Sequence, residues 1–201
     1  MLSVGFLEKS FGGRKVLSVQ DFAAEGGNRT LIYGENGGGK TTLLKILAGL
    51  LLPDVVKEWR FNSVQQSPSR RGIDGAVLLH QSPFMFAASV KENVAFASAA
   101  RVEESLEWAG LSSLADMPAR ELSGGERARV SLARARAARP MLCLMDEPAA
   151  HLDDAGLPLI WELAAELQKQ GGAVIVAVPA NTIPDADSVW RLYGGDLQRE
   201  K

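Results

Sequence analysis

The segment Gly34-Glu35-Asn36-Gly37-Gly38-Gly39-Lys40-Thr41-Thr42 constrains this chain more than any other. It has the form of a glycine, four residues, then Gly-Lys-Thr. Glycines there let successive backbone N–H groups turn toward an anion, and the following helix offers its positive end. A plain glycine-rich turn would carry the same letters, so the flanks decide. Thr30-Leu31-Ile32-Tyr33 before it is apolar and β-prone, while Leu43, Leu44, Ile46, Leu47 and Leu50 after it are spaced as one buried helix face. Strand, loop and helix therefore stand in the order of a phosphate-binding loop, with Lys40 placed for the outer phosphates and the Thr41 hydroxyl for Mg²⁺.

The rest of the chain alternates strands with helices, the mark of an α/β parallel sheet. Leu2 to Leu7 and Ser18 to Phe22 read as short strands around the turn Gly12-Gly13-Arg14-Lys15, with Phe11 just before it. Pro53 and Asp54 end the loop helix, and the stretch to Arg71 reads as an irregular antiparallel arm. Ala76 to Leu79 is a buried strand ending at His80-Gln81. Ser89 to Met117 is helical, with Val102, Leu106 and Ala109 on one side, Glu103, Glu104 and Glu107 toward water, and Gly110 as a stop. A further helix runs from Ser123 to about Arg139, where Pro140 halts it. Met141 to Met145 is a nearly uninterrupted apolar strand. Leu157 to Gln170 is an amphipathic helix capped by Gly171-Gly172, Ala173 to Val178 is another buried strand, and Val189 to Tyr193 is the expected last one. One domain over 1–201 is expected, with a helical subdomain inserted at about 87–138.

Composition excludes several classes. The net charge of −2, from 22 basic and 24 acidic residues, gives no general drive toward nucleic acid. A single cysteine, Cys143, forms no internal disulfide, and two histidines are too few for a zinc cluster, so a reducing cytoplasm is the simplest home. The N-terminus lacks the basic region and apolar core of a signal peptide, and no apolar run reaches the roughly 20 residues needed to span a bilayer. Any membrane role has to come through a partner.

Two further motifs carry chemistry. Asp146 and Glu147 end the apolar strand, where ligands of open α/β sheets bind. Beside a phosphate loop, Asp146 suits Mg²⁺ and Glu147 suits an attacking water, which points to hydrolysis of a nucleoside triphosphate. Leu122-Ser123-Gly124-Gly125-Glu126 contains a capping box, Ser followed three residues later by Glu, and so opens a second helix whose N-terminus is ready for an anion.

Taken together, the segments resemble the nucleotide-binding subunit of an ABC transporter. Gly34 to Thr41 matches Walker A, Gln81 the Q-loop, Leu122 to Glu126 the signature, Met141 to Asp146 with Glu147 Walker B, and Leu152-Asp153 the D-loop. The resemblance implies an α/β P-loop NTPase with a mostly parallel central sheet, an N-terminal antiparallel β part and a helical subdomain. It implies ATP and Mg²⁺ as cofactors. Phe11 would stack on adenine; Gly34, Asn36, Gly37, Gly38, Gly39, Lys40, Thr41 and Thr42 would hold phosphate. Thr41, Gln81 and Asp146 would serve the metal, and Glu147, Lys40 and Gln81 the reaction. Ser123, Gly124, Gly125 and Glu126 would bind the terminal phosphate held by a second copy of the chain, in a head-to-tail dimer sharing two ATP sites.

One position departs from the family. A histidine usually follows the strand after Walker B and contacts the γ-phosphate; here Val176-Ala177-Val178-Pro179-Ala180 puts Pro179 there, which has no side-chain donor. The expectation is an ATPase that fires through Glu147 but slowly. Cys143 is expected in the core, His151 at solvent or the dimer interface, and Arg134, Arg136 and Arg139 exposed at a helix end. After Gln81, Ser82 to Phe86 and Ser89 to Val94 supply the apolar groups that a permease's short helix would need, in wording that resembles tungstate and molybdate type importers. The expected protein is thus peripheral on the inner membrane face, bound to permease subunits and not to nucleic acid. The alternative is a non-transport ABC module acting as a nucleotide-dependent clamp on a soluble partner.

Overall fold

In the computed structural model the described residues are 2–67, 73, 75–180 and 185–200; residues 68–71 of the expected antiparallel arm lie outside them. These residues form two compact units, one of 1–78, 141–147 and 167–201, the other of 79–140 and 148–166.

The first unit is built on a sheet. β1 (Leu2–Phe11) and β2 (Arg14–Ala24) form an antiparallel hairpin through Gly12-Gly13 alone, so both strands are longer than the sequence suggests and Arg14 and Lys15 belong to β2. β3 (Arg29–Gly34) leads through the glycine-rich loop into α1 (Lys40–Leu47). β4 (Val55–Phe61) and the short β5 (Val64–Gln65) complete the antiparallel arm along β1. β6 (Ala76–Leu79), β7 (Leu142–Asp146), β8 (Ala173–Pro179), β9 (Ser188–Tyr193) and β10 (Asp196–Arg199) follow. Among the described residues the sheet order is β5-β4-β1-β2-β10-β9-β3-β8-β7-β6.

β7, β8, β3 and β9 run parallel. β7 and β8 are buried on both faces, which is why they read as unbroken apolar runs. The core beneath joins Leu43, Leu44, Ile46 and Leu47 of α1 to Leu2, Leu7, Phe22, Leu144 and Ile175, with Phe22 edge-on to Trp190 at 5.1 Å between ring centres.

Two expectations change here. β9 is not the last strand: Gly194-Gly195 turns the chain into β10, which pairs antiparallel with β9 and parallel with β2. Its Asp-Leu-Gln-Arg sequence has one buried side chain, Leu197, too little for a hydrophobic pattern. Leu50 does not extend the buried face of α1, because the helix is capped at Ala48 and Gly49 takes a positive φ; Leu50 is 67% exposed.

The second unit is helical. α2 (Val90–Ala95), α3 (Val102–Trp108) and α4 (Gly124–Ala138) pack together, and the segment expected to be one long helical pattern is broken by short 3-10 turns at 99–101 and 112–114. Leu106 and Ala109 are buried, with Glu103, Glu104 and Glu107 exposed. α5 (Leu157–Lys169) is longer than the part lying in this unit. Arg134 and Arg136 are not the exposed cations expected: both are half-buried. Arg134 donates to the Phe84 carbonyl at 2.6 Å, while Arg136 pairs with Glu166 at 2.9 Å and Glu104 at 3.0 Å and lies over the Trp108 ring. Arg139 alone is exposed, in a left-handed conformation that ends α4 before Pro140.

Candidate functional site

β3 and β7 are separated in the sheet only by β8, so their C-terminal ends bring the glycine-rich loop and the two carboxylates to one region. The loop's conformation follows from its glycines. Gly39 sits at φ +106, and a Cβ there would lie 3.0 Å from the Val16 carbonyl oxygen. A Cβ on Gly34 would meet the Leu192 carbonyl at 2.3 Å. Backbone can pass this close only where no side chain exists. Gly37 and Gly38 carry the turn between them, with Gly38 N–H donating to the Glu35 carbonyl, and Asn36 is exposed at its tip.

α1 starts at Gly39 with no side-chain cap and no acid in its first turn. Its first ladder bond runs from Leu43 N–H to the Gly39 carbonyl, so the amides of Lys40, Thr41 and Thr42 precede the ladder and the dipole is uncompensated. The Lys40 ammonium, 4% exposed, donates to the Gly34 carbonyl at 2.9 Å and the Glu35 carbonyl at 3.1 Å, and lies 3.3 Å from Glu147 Oε1. Those contacts match the three donors of an ammonium.

Thr41 Oγ1 donates to Asp146 Oδ2 at 2.8 Å. Asp146 is 2% exposed, and its Oδ1 is buried without a protein partner. A hydroxyl and a carboxylate with a spare oxygen are hard donors of the kind Mg²⁺ takes from proteins, one or two side chains with substrate phosphates supplying the rest. Among the described residues no group of three or more His, Cys, Asp or Glu side chains is placed to hold a metal ion.

Glu147 follows β7 at φ 47, a left-handed backbone that costs a non-glycine residue about 1 kcal/mol or more, and its N–H donates to the Ala177 carbonyl at 3.0 Å. Pro179 closes β8 opposite Gly34 in register. Phe11, 49% exposed, ends β1 at the hairpin whose Val16 abuts Gly39. The Cys143 thiol is fully buried in β7, and desolvation pushes its pKa up to about 12, leaving it inert.

The other predicted residues lie in the second unit. Gln81 is exposed two residues after β6, and His80 Nδ1 accepts the Ser82 amide at 3.1 Å. Ser123 caps α4: its Oγ accepts from Glu126 N–H at 3.3 Å, and the Glu126 carboxylate accepts from Ser123 N–H at 2.7 Å. Hydrogen bonds from Ser123 hold the Glu126 carboxyl below the usual glutamate range. Gly124 lines an open cleft of about 530 Å³ with Phe84, Arg120, Arg127 and the exposed His151. Gly125 lies against Asp153, whose carboxylate accepts from Gly156 N–H and stands 3.6 Å from Arg129. Arg129 belongs to no motif; it donates to the Ala109 carbonyl at 3.1 Å, a partner no local pattern announces.

A family profile described as ABC transporter matches residues 17–150. The tungstate uptake system ATP-binding protein TupC of Peptoclostridium acidaminophilum is 33% identical over 88% of this chain and 86% of its own length. The cytochrome c biogenesis ATP-binding export protein CcmA of Paramagnetospirillum magneticum is 32% identical over 85% and 83%. Among solved structures, cbiO1 from Clostridium perfringens, part of the ABC transporter complex cbiONQ, superposes with a TM-score of 0.77 at 28% identity, covering 98% of this chain and 86% of that one.

Proposed function

This chain is a member of the ABC transporter ATP-binding family, and on that footing we propose that it hydrolyses ATP to drive a membrane permease that imports a small solute such as an oxyanion. The observation that carries the catalytic part is the convergence of Thr41 on Asp146 and Lys40 on Glu147 at one end of the sheet. Family membership implies ATP binding. The free amides after Gly39 suit its phosphates, and Lys40 exchanges the Gly34 and Glu35 carbonyls for phosphate oxygens. Thr41 and Asp146 would hold Mg²⁺, which neutralises charge on the β- and γ-phosphates when bound. Glu147 orients the attacking water and takes its proton. The roles of Gln81, at metal and water and in relaying nucleotide state to the permease, rest on the family resemblance of the Q-loop.

Ser123 supports the shared-site reading. Its oxygen accepts from Glu126 N–H while its hydroxyl bonds the Glu126 carboxylate, so donation to a phosphate presented by a second copy would exchange that carboxylate for a phosphate oxygen. No helix among the described residues is long and apolar enough to cross a membrane, so attachment to the membrane runs through the permease. TupC, a tungstate uptake protein, and the zinc import ATP-binding protein ZnuC of Halorhodospira halophila support import; CcmA is an export protein.

Glu147→Gln tests the hydrolytic reading: turnover of the permease complex should fall by roughly 10²–10⁴-fold, the worth of a placed general base. Turnover within threefold of the parent would exclude Glu147 from that role. Pro179→His tests the slow-firing reading, and an unchanged rate in the assembled transporter would remove Pro179 as the limit.

A further inference from the structure

The tip of β1 depends on one side chain from outside its hairpin. The β1–β4 ladder ends at the pair Glu8–Val55. Next, Asp54 N–H donates to the Glu8 carbonyl at 2.9 Å, and Pro53 before it has no N–H with which to continue. The Asp54 carboxylate takes over from the backbone: Oδ2 accepts from Ser10 N–H at 2.6 Å and Oδ1 from Lys9 Nζ at 2.7 Å. The Lys9 ammonium lies over the Phe11 ring, 5.2 Å from its centre, within cation–π reach.

The opposite side of the same two residues is irregular. Lys9 pairs with Leu17 but Ser10 pairs with Lys15, so β2 carries Val16 as an extra, bulged residue. A bulge bends and twists its strand pair, and the Val16 carbonyl is the group against which Gly39 packs. The hairpin therefore bends between the residues Asp54 grips, and the bend sets where Phe11 stands relative to the phosphate loop.

We propose that Asp54 is the positioning residue of the base platform: through the Ser10 amide and Lys9 it fixes the bulged tip of β1, so that Phe11 offers one ring face to the purine while Lys9 covers the other. This rests on Phe11 being the base-stacking residue. Asp54 touches no nucleotide and acts only through the strand tip.

The experiment compares binding of ATP with binding of inorganic tripolyphosphate by calorimetry on the full chain. Phe11→Ala should weaken ATP by roughly 5- to 150-fold, the range of aromatic stacking on a base, and leave tripolyphosphate unchanged. Asp54→Ala should weaken ATP by about 3- to 10-fold, as for loss of a charge-assisted hydrogen bond on an exposed surface, again sparing tripolyphosphate. Lys9→Met, which keeps the stem and removes the ammonium, should show the same selectivity. Asp54→Asn, which keeps an acceptor for Ser10, should recover part of the loss, and Asp54→Ala should add nothing in the Phe11→Ala background. The proposal is overturned if Asp54→Ala matches the parent for ATP, if it weakens tripolyphosphate equally, or if its effect persists without Phe11. If Phe11→Ala itself leaves ATP affinity unchanged, the stacking reading is what fails, and the proposal falls with it.

Discussion

The helices that begin after Gly39 and after Ser123 both start at glycine-containing motifs, yet they start in opposite ways. α1 has a left-handed glycine as its N-cap, no side-chain cap, no acid in its first turn and a lysine at its first position. α4 has a serine N-cap and a glutamate that close a reciprocal capping box. The first end is electrostatically open, and an anion is the natural complement of its amides and dipole. The second is already satisfied within its own unit, with a carboxylate opposing its positive end. An anion approaching α4 meets a hydroxyl already engaged with the Glu126 carboxylate rather than a cradle of free amides, which suits a phosphate carried in by another molecule better than a ligand bound in isolation.

Five substitutions sharpen or break this contrast. The largest effect is expected from Lys40→Ala, which removes the cation from the open end and leaves Glu147 without its partner; ATP binding should weaken by about 10- to 150-fold, the worth of charged hydrogen bonds. Calorimetry giving near-parental affinity would show that the amides alone hold the nucleotide. Gly39→Ala comes next. At φ +106, with the Val16 carbonyl 3.0 Å from the new methyl, it should cost about 1–3 kcal/mol and lower both the melting temperature and ATP affinity.

At α4, Ser123→Asp separates the two roles of the serine. Aspartate ranks with serine as an N-cap, but it sets a second carboxylate beside that of Glu126, so the melting temperature should fall slightly. A carboxylate facing a second copy's phosphate should reduce turnover of the permease complex by tenfold or more, as an order-of-magnitude estimate for one repelled charge. Undiminished turnover would remove the signature from the shared site. Ser123→Ala should instead destabilise by about 1 kcal/mol.

The smallest effect belongs to Glu126→Gln, seen in the pH dependence of thermal melting. The Glu126 carboxyl is held below its unfolded value, so its stabilisation is present above the unfolded glutamate pKa of about 4.3 and is lost as pH falls through the lower folded value. The variant should melt within about 2 °C of the parent at neutral pH, as expected of an exposed pair, and the difference should vanish in acid. A gap that widened below pH 4 would contradict the cap geometry.

Much of the site was readable because it is local. The conformation of Gly34 to Gly39 follows from its glycines, which have to tolerate positive φ or close backbone, and the box at Ser123 from two side chains three apart. The apolar runs Leu142 to Met145 and Ala173 to Val178 announced strands covered on both faces. The burial of Arg134 and Arg136 is not legible in the sequence because their partners, the Phe84 carbonyl and Glu166, lie far away in the chain and no periodicity marks them. β10 escaped because a four-residue strand with one buried leucine carries almost no pattern.

The sequence by itself determined where the chain turns, caps and buries, and hence that a phosphate loop, two strand-end carboxylates and a second helix start exist. Only the tertiary structure decided which of these meet. The order β3-β8-β7 brings Thr41 to Asp146 and Lys40 to Glu147, and the bulge at Val16 with the grip of Asp54 decides where Phe11 stands. The reason is physical: short-range hydrogen bonds and side-chain periodicity are written in adjacent residues, whereas the neighbours of a strand are chosen by the packing of the whole sheet.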